Sequence, residues 1–186
     1  MFDHFDHLAP IYDRLIKGPD QRLLNSLLEP PTNGIILDAA GGTGRASRCL
    51  QDAARFIVVC DSSPRMLHAA KIKGMVTTLA HLEDLPFPDN CFDRIMLVDA
   101  FHHLKDQGTA IKELLRVLKL SGRLLIEEPH CNRLPVKLAA FLENIFMMRS
   151  NFFPPGIMIR MIDALGGHAQ LVHEDRFRVW IAVSKE

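Results

Sequence analysis

Five short apolar segments alternate with segments of helical periodicity, and this alternation constrains the fold more than any other feature of the sequence. The five segments, typical of buried strands, are residues 34–39, 55–61, 75–80, 93–100 and 123–128. Short apolar runs bounded by glycine or polar turns are characteristic of strands buried on both faces. Strands that alternate with helices form parallel sheets with right-handed crossovers. The order therefore predicts an α/β fold with a doubly wound, mostly parallel sheet.

The two ends of the chain add to this alternation. Residues 170–174 and 178–184 are separated by a few polar residues and predict a hairpin. Residues 1–30 predict N-terminal helices, and the Met- and Phe-rich residues 130–167 predict a segment that covers an apolar substrate. A helix that only covers the sheet, or a surface that touches a partner or a membrane, is the alternative for that segment. The length of 186 residues predicts one domain over 1–186.

Charge and cysteine usage disfavour several classes of function. The chain has 22 basic and 22 acidic side chains, and this zero net charge argues against nucleic acid as the main partner. The apolar runs are shorter than the roughly 18 residues of a membrane span, and the acidic start lacks the features of a signal peptide. Four scattered cysteines without a CxxC pair indicate reduced thiols. We expect a cytoplasmic protein that binds a small molecule, with no metal site.

A glycine-rich loop follows the first predicted strand in residues 36–45, ILDAAGGTGR. Its glycines allow backbone to approach a ligand closely, and they are Gly41, Gly42 and Gly44. The dinucleotide fingerprint is incomplete because Ser47 stands at its third glycine position. Asp38, directly before the loop, would repel a pyrophosphate and attract an ammonium or a sulfonium. S-adenosylmethionine (SAM) carries both cations and no phosphate, so the loop predicts SAM as the cofactor. The loop is expected to lead into a helix over residues 43–54.

A second acid, Asp61, ends the next predicted strand, 23 residues after Asp38. An acidic side chain at this place in an α/β sheet can bind the ribose hydroxyls of an adenosine. The alternative is that Asp61 only caps the helix that starts at Pro64. The succession of strand, acid, glycine loop, helix, strand and acid is more specific than either acid alone, and it favours SAM binding.

These motifs resemble those of class I SAM-dependent methyltransferases over most of the chain. The matching stretches are LDAAGGTG (37–44), CDSSPRML (60–67), EDLPFPDNCFD (83–93), VDAFHHLKD (98–106) and ELLRVLKLSGRLLIEEP (113–129). Within the family, AGGTG and the opening LAPIYDRL are similar to ubiquinone and menaquinone biosynthesis methyltransferases. The resemblance implies a seven-stranded, Rossmann-like sheet with an antiparallel C-terminal strand, and the product S-adenosylhomocysteine.

The resemblance also implies which residues bind the cofactor. Asp38, the loop backbone and Asp99 would hold the methionine end, while Asp61 would hold the ribose and Met66 would pack against adenine. The complete expected set is Tyr12, Asp38, Ala39, Ala40, Gly41, Gly42, Gly44, Asp61, Ser62, Met66, His81, Leu82, Glu83 and Asp99.

One position in this set leaves an alternative open, and two positions in or next to it depart from the residues that are common in related sequences. Tyr12 is predicted to cover the cofactor pocket, and the alternative is a half-buried aromatic on a docking helix. His81 stands where relatives commonly carry Asp or Asn for the adenine amino group, and a neutral imidazole can accept that hydrogen bond. Arg45 replaces an acid that is common in the quinone subgroup.

Catalysis of methyl transfer depends first on holding donor and acceptor in line. A base adds to this when the acceptor is a hydroxyl or a phenol ring. His102 and His103 follow the fourth predicted strand, while Glu128 and His130 follow the fifth. We therefore expect the catalytic candidates His102, His103 and Glu128 at the edge of the sheet where ligands bind. The alternative is that one of the adjacent histidines packs inward and the other is solvated.

Together these features predict a SAM-dependent methyltransferase. The expected acceptor is a small apolar or aromatic molecule, lipophilic molecules included, that is methylated on carbon or oxygen. Two alternatives stand beside this prediction. One is a SAM-binding protein without transferase activity, and the other is a nicotinamide-dependent oxidoreductase, which Asp38 and Ser47 disfavour.

Overall fold

The computed structural model describes residue 13, residues 18–130 and residues 151–185. One sheet runs through these residues, and its strands are β1 (Ile35–Ala39), β2 (Phe56–Asp61), β3 (Val76–Leu79), β4 (Phe92–Val98), β5 (Leu118–Pro129), β6 (Gly167–Glu174) and β7 (Arg178–Lys185). The α-helices are α1 (Gln21–Leu28), α2 (Pro64–Ile72), α3 (Gln107–Val117) and α4 (Pro155–Ala164). Two short 3₁₀ helices cover Ser47–Leu50 and Phe101–His103.

The strand order is β3-β2-β1-β4-β5-β7-β6. The neighbours from β3 to β5 pair in parallel, whereas β7 is antiparallel to both β5 and β6. The predicted α/β fold, with a mostly parallel seven-stranded sheet and an antiparallel C-terminal strand, is confirmed. The chain moves outward from β1 to β3 and then returns to the other side of β1. The carboxyl ends of β1 and β4 therefore flank the topological switch point, where ligands bind in such sheets.

Both faces of the central strands β1 and β4 are buried, as their continuous apolar runs predict, whereas the edge strand β3 was predicted to be buried but exposes Val76 and Leu79. Neighbouring residues of one strand enter different clusters: Leu37 and Ile95 pack with α3 and α4, whereas Ile36 and Met96 pack with α1. A strand in this position has no polar face, which is why its sequence does not alternate. None of the helices in the described part of the chain is both long and apolar enough to cross a membrane.

The helix predicted over residues 43–54 is wrong, since the structure has only turns and the short 3₁₀ helix Ser47–Leu50 there. The cause is the acid before the loop. The backbone N–H of Ser47 donates to the Asp38 carboxylate at 3.2 Å, so it is not available to the carbonyl four residues earlier. The α-helical bond from residue 47 to residue 43 is therefore not made. Although the N–H of Arg48 donates to the carbonyl of Gly44 at 3.0 Å, the segment continues as turns and a 3₁₀ helix.

Candidate functional site

A cavity of about 300 Å³ lies at the carboxyl ends of β1, β2 and β4. Most of the expected cofactor-binding residues line it, namely Asp38, Ala40, Gly41, Gly42, Asp61, Ser62, Met66, His81, Leu82, Glu83 and Asp99. Further lining residues were not predicted, and they are Arg45, Ala46, Ala80, Val98, Ala100, Leu104 and Lys105. The loop after each strand thus contributes to one site, because parallel strands end at one edge of the sheet.

The glycine loop packs directly on the side chain of Asp38. A Cβ atom on Gly41 would lie 2.5 Å from Cγ of Asp38, so only glycine fits at this position. Gly42 has a φ of +55°, a backbone conformation that glycine adopts without steric cost. The glycines therefore serve two needs, since one makes room for a buried acid and the other makes the turn over it.

Asp38 is a buried acid with one oxygen unused inside the protein. Its Oδ2 atom accepts hydrogen bonds from the hydroxyl of Ser47 at 2.7 Å and from the Ser47 backbone N–H. Its Oδ1 atom is buried and has no hydrogen-bond partner among the residues that the structure describes. Burial raises the pKa of Asp38 to about 6, while the bonds from Ser47 and the charge of Arg45 act in the opposite direction. A carboxylate arranged in this way is suited to accept hydrogen bonds from a cation that enters the cavity.

Asp61 connects the glycine loop to the start of α2. Its Oδ2 atom accepts from the backbone N–H of Gly42, and its Oδ1 atom accepts from the N–H of Ser63, both at 2.8 Å. The cap of α2 is Ser63 itself, whose hydroxyl accepts from the N–H of Met66. Asp61 is therefore not the N-cap residue. Asp61 also lines the cavity, and a carboxylate offers about four acceptor positions, so it can bind a ligand hydroxyl in addition to these backbone groups.

The wall farther from the glycine loop is mixed in character. Met66 and Leu82 are buried and give it apolar surface, whereas His81 is exposed. Glu83 accepts a hydrogen bond from the backbone N–H of Asp106 at 3.2 Å. A flat apolar ring with polar edges, such as adenine, matches a wall of this kind.

Arg45 and Asp99 form an ion pair on the cavity wall that the sequence reasoning did not foresee. The Nη2 atom of Arg45 lies 3.2 Å from Oδ2 of Asp99, and the Arg45 side chain is 10% exposed. Asp99 has a φ of +57°, which is uncommon for a residue other than glycine. The one sequence signal for this pair is that Arg45 stands where related sequences carry an acid.

Of the catalytic candidates, His103 lines the cavity. Its pKa is lowered to about 3, first because the ring is largely buried and second because His102 lies beside it. The two imidazole rings are 3.9 Å apart between centroids. His103 is therefore neutral at physiological pH, and its ring can accept or donate a hydrogen bond to a ligand but is a weak base.

His102 and Glu128 lie together outside this cavity. Nδ1 of His102 is 2.8 Å from Oε2 of Glu128, and both side chains are buried. Oε1 of Glu128 also accepts from the backbone N–H groups of Ala100 and Phe101. Burial raises the pKa of Glu128, while the neighbouring His102 acts in the opposite direction. In this arrangement the pair holds the loop after β4 in place, and its predicted role as a base stays a prediction.

Several other expectations concern residues away from the cavity or outside the described part. Ala39 and Gly44 belong to β1 and the loop but do not line the cavity, and Nε2 of His130 lies 2.6 Å from Oε1 of Glu174. Tyr12 and residues 131–150 lie outside the described residues. Among the residues that are described, no group of three His, Cys, Asp or Glu side chains is placed to hold a metal ion.

Known sequences match this chain over the same region that forms the cavity. The family described as "Methyltransferase domain" matches residues 37–126. A demethylmenaquinone methyltransferase of Thermotoga maritima is 33% identical over 152 residues, which are 74% of this chain and 66% of that protein. A ubiquinone/menaquinone biosynthesis C-methyltransferase of Saccharophagus degradans is 38% identical over 105 residues, 50% of this chain and 42% of that protein. The matched part of the chain thus spans 66% and 42% of the length of these two relatives.

Solved structures share the fold at low sequence identity. A putative methyltransferase of Haloferax volcanii, in a complex with the activator Trm112, has a TM-score of 0.80 at 15% identity, covering 99% of this chain and 98% of that one. A SAM-dependent methyltransferase of Thermotoga maritima, described as a possible histamine N-methyltransferase, has a TM-score of 0.78 at 20% identity, with 98% of each chain covered. Together with the sequence matches, they confirm the resemblance. The chain belongs to the class I SAM-dependent methyltransferase family and is similar to its ubiquinone/menaquinone biosynthesis group.

Proposed function

We propose that this protein transfers the methyl group of SAM to a small apolar or aromatic acceptor, on carbon or oxygen, and releases S-adenosylhomocysteine. The observation that carries the proposal is the buried Oδ1 atom of Asp38 beside the glycine loop, which lacks a hydrogen-bond partner within the described part of the chain. Leaving such an atom unpaired costs free energy unless a ligand completes it. The ammonium of a methionine end supplies the donor and the charge that this atom lacks.

The remaining cavity residues fit the other parts of SAM. The carboxylate of Asp61 is anchored by two backbone N–H groups, lines the cavity, and would accept hydrogen bonds from the ribose hydroxyls. Met66 and Leu82 offer apolar surface to the adenine ring. A pyrophosphate would instead bring negative charge next to Asp38 and Asp61. The cavity therefore supports SAM over a nicotinamide dinucleotide.

SAM, when bound, supplies a methyl group on a positively charged sulfur, and its transfer leaves a neutral thioether. The contribution of this chain is to hold and orient the reactants. Asp38 and the loop backbone fix the methionine end, and the neutral His103 can hydrogen-bond an acceptor at the same edge of the sheet. Because His103 has a low pKa, an acceptor that is already activated, such as an electron-rich ring, suits the site better than one that needs strong base assistance.

Two observations support an apolar or aromatic acceptor. The curated relatives act, by their names, in menaquinone and ubiquinone biosynthesis. In this chain Phe152 stacks on His102 at 4.3 Å between ring centroids, and the N–H of Asn151 donates to the carbonyl of His102 at 2.7 Å. Residues 151 and 152 are thereby tied to the loop that carries His103. In the described part of the predicted covering segment, Met158 and Ile162 of α4 pack into the core, which fits the alternative that this part only covers the sheet.

The proposal includes a cytoplasmic location and a small-molecule substrate as the main partner. Cys49, Cys60 and Cys91 are free thiols, which are typical of a reducing compartment. Burial raises the pKa of Cys60 to about 12, so this thiol is unreactive.

A second candidate is a SAM-binding protein that does not transfer methyl groups. The observation that favours it is the low pKa of His103, the base candidate that lines the cavity. Such a protein would bind the cofactor with the same residues and show no product with any acceptor.

Titration calorimetry with SAM, S-adenosylhomocysteine and NADH tests the cofactor, using wild type, Asp38→Asn and the exposed-site control Asp52→Asn. We expect SAM to bind wild type and the control alike, and the Asp38 variant much more weakly. Failure of wild type to bind SAM at millimolar concentration would overturn the proposal.

Transfer of a radiolabelled methyl group from SAM to a panel of quinols, phenols and carboxylic acids tests the reaction. We expect labelled product with aromatic or quinol acceptors. SAM binding without product across the panel would favour the second candidate over the first.

A further inference from the structure

We infer that Arg45 recognises the carboxylate of the methionine end of the cofactor, so that the site selects a complete amino acid end over one without its carboxylate. This inference rests on the proposed function and assigns a specificity role to a residue of the same site. It starts from an unexpected feature, a nearly buried arginine in a cavity that is otherwise rich in acids.

Arg45 lies at the end of the glycine loop, where an ion pair holds its side chain against the cavity wall. It follows Gly44 directly, lines the cavity, and its guanidinium is held by Asp99 from the end of β4. The Arg45 side chain is 10% exposed and that of Asp99 25%. Charged hydrogen bonds are stronger in such a poorly solvated place than at the surface.

The cavity is lined mainly by negative charges, so the carboxylate of SAM needs a cationic partner there. Four carboxylates line it, those of Asp38, Asp61, Glu83 and Asp99. They favour the ammonium and the sulfonium of SAM but repel its carboxylate. The ammonium and the carboxylate are attached to one carbon atom, so the groups that bind them must be neighbours. Arg45 meets this condition, because it directly follows the glycine loop that packs on the Asp38 carboxyl, and both residues line the same cavity.

The chemistry of a guanidinium allows it to serve Asp99 and a ligand together. Its five N–H groups lie in one plane and form forked bonds with carboxylates, which an ammonium group cannot do. The other cationic side chain on the cavity wall within the described residues is Lys105, which is exposed. Solvent and salt screen an exposed charge, so Lys105 is less suited to recognise a ligand carboxylate.

Decarboxylated SAM keeps the ammonium and the sulfonium but lacks the carboxylate. It therefore separates recognition of the carboxylate by Arg45 from the general effect of the Arg45 charge on the acids of the cavity. We expect wild type to bind SAM at least tenfold more tightly than decarboxylated SAM, the effect of one charged hydrogen-bonding pair. In Arg45→Gln the two affinities should differ by less than about twofold, because SAM loses its partner while decarboxylated SAM does not. Arg45→Lys should give an intermediate ratio, since it keeps the charge without the fork.

The matched control is Arg48→Gln. Arg48 lies three residues along the chain and is exposed, and it borders a different cavity that Arg45 also touches, next to Lys73. Titration calorimetry of the four proteins with both ligands gives the ratios, and binding of decarboxylated SAM to Arg45→Gln shows that the variant is folded. We expect Arg48→Gln to keep the wild-type ratio.

Three results would overturn the inference. Equal affinity of wild type for both ligands would do so without any variant, and so would an unchanged ratio in Arg45→Gln. If Arg45→Gln does not fold, a wild-type ratio in Arg45→Lys would overturn the forked recognition. In each case SAM still binds wild type, so the proposed function stands, whereas absence of SAM binding to wild type would remove both.

Discussion

Replacement of Asp38 by asparagine tests the central feature of the site, which is a buried carboxylate that is proposed to bind the ammonium group of SAM. The substitution keeps the shape of the side chain and removes its charge. In wild type the carboxylate costs stability because burial raises its pKa from the usual 3.8 to about 6. That rise corresponds to about 3 kcal/mol of free energy. We expect Asp38→Asn to lose cofactor affinity and to gain stability at neutral pH.

The effect on affinity can be worked out from the same pKa. A charged hydrogen bond is worth about 1.5–3 kcal/mol, so Asp38→Asn should bind SAM roughly 10- to 150-fold more weakly at pH 7. The ligand requires ionised Asp38, and below pH 6 the free protein holds a proton there. Wild-type affinity should therefore fall about tenfold between pH 7 and pH 5. Asp38→Asn should lack this part of the fall.

The effect on stability has the opposite sign. The folded-state pKa of Asp38 is above its unfolded value, so protonation favours the folded state and the cost of burying the charge vanishes between pH 6 and pH 4. The stability advantage of Asp38→Asn over wild type should therefore shrink by about 2.4 kcal/mol from pH 7 to pH 4, because the unfolded-state carboxyl also begins to take up a proton near pH 4. Below pH 6 the wild type should thus gain stability relative to the variant while it loses affinity.

Titration calorimetry with SAM at pH 5, 6 and 7, together with urea unfolding of the free proteins at pH 7 and 4, measures both effects. The ligand ammonium stays protonated over the calorimetric range. The other side chains that line the cavity, His81 among them, are present in both proteins, so the difference between the two proteins isolates Asp38. Equal SAM affinity of the two proteins, or a parallel pH dependence, would refute the assignment of Asp38 as the partner of the cation.

Three further predictions follow from individual contacts. Asp61→Ala should weaken SAM affinity tenfold or more in calorimetry, because the carboxylate faces the cavity, and unchanged affinity would limit Asp61 to joining the loop and α2. Gly41→Ala should cost about 1–3 kcal/mol in urea unfolding and reduce SAM binding, because its Cβ atom would displace Asp38, whereas Gly108→Ala, which has space, should not. His103→Asn should keep the shape of the pH–rate profile from pH 5 to 8, because a pKa of about 3 leaves the wild-type ring neutral there, and loss of an inflection would contradict this.

The fold was predictable because its evidence is local. Strands buried on both faces are continuous apolar runs, and each run lies between glycine or polar residues that end it. Ser63 and Pro64 mark the start of α2 for the same reason, since the cap bond joins residues three positions apart. The missing helix after the glycine loop shows the limit of local evidence, because Ser47 there donates to Asp38 and not to a helical carbonyl.

The candidate site was partly predictable. Parallel strands end at one edge of the sheet, so acids and glycines that follow β1, β2 and β4 had to lie near each other. The chemical character of each group was harder to foresee. Adjacent His102 and His103 look equivalent in the sequence, but one lies against Glu128 and the other lines the cavity. The direction in which each ring points depends on the turn after β4, and its pKa depends on how much protein surrounds it.

The sequence by itself determined that this chain forms a mostly parallel α/β sheet with an acid and a glycine loop at its switch point, because apolar runs, turns and caps act between near neighbours. Only the tertiary structure decided that Arg45 meets Asp99 across 54 positions of the chain, and that Asp38 keeps an unpaired oxygen inside the cavity. Such contacts depend on strand order and register, which bring together residues that the sequence separates. The selectivity proposed for Arg45 depends on such contacts, which only the tertiary structure shows.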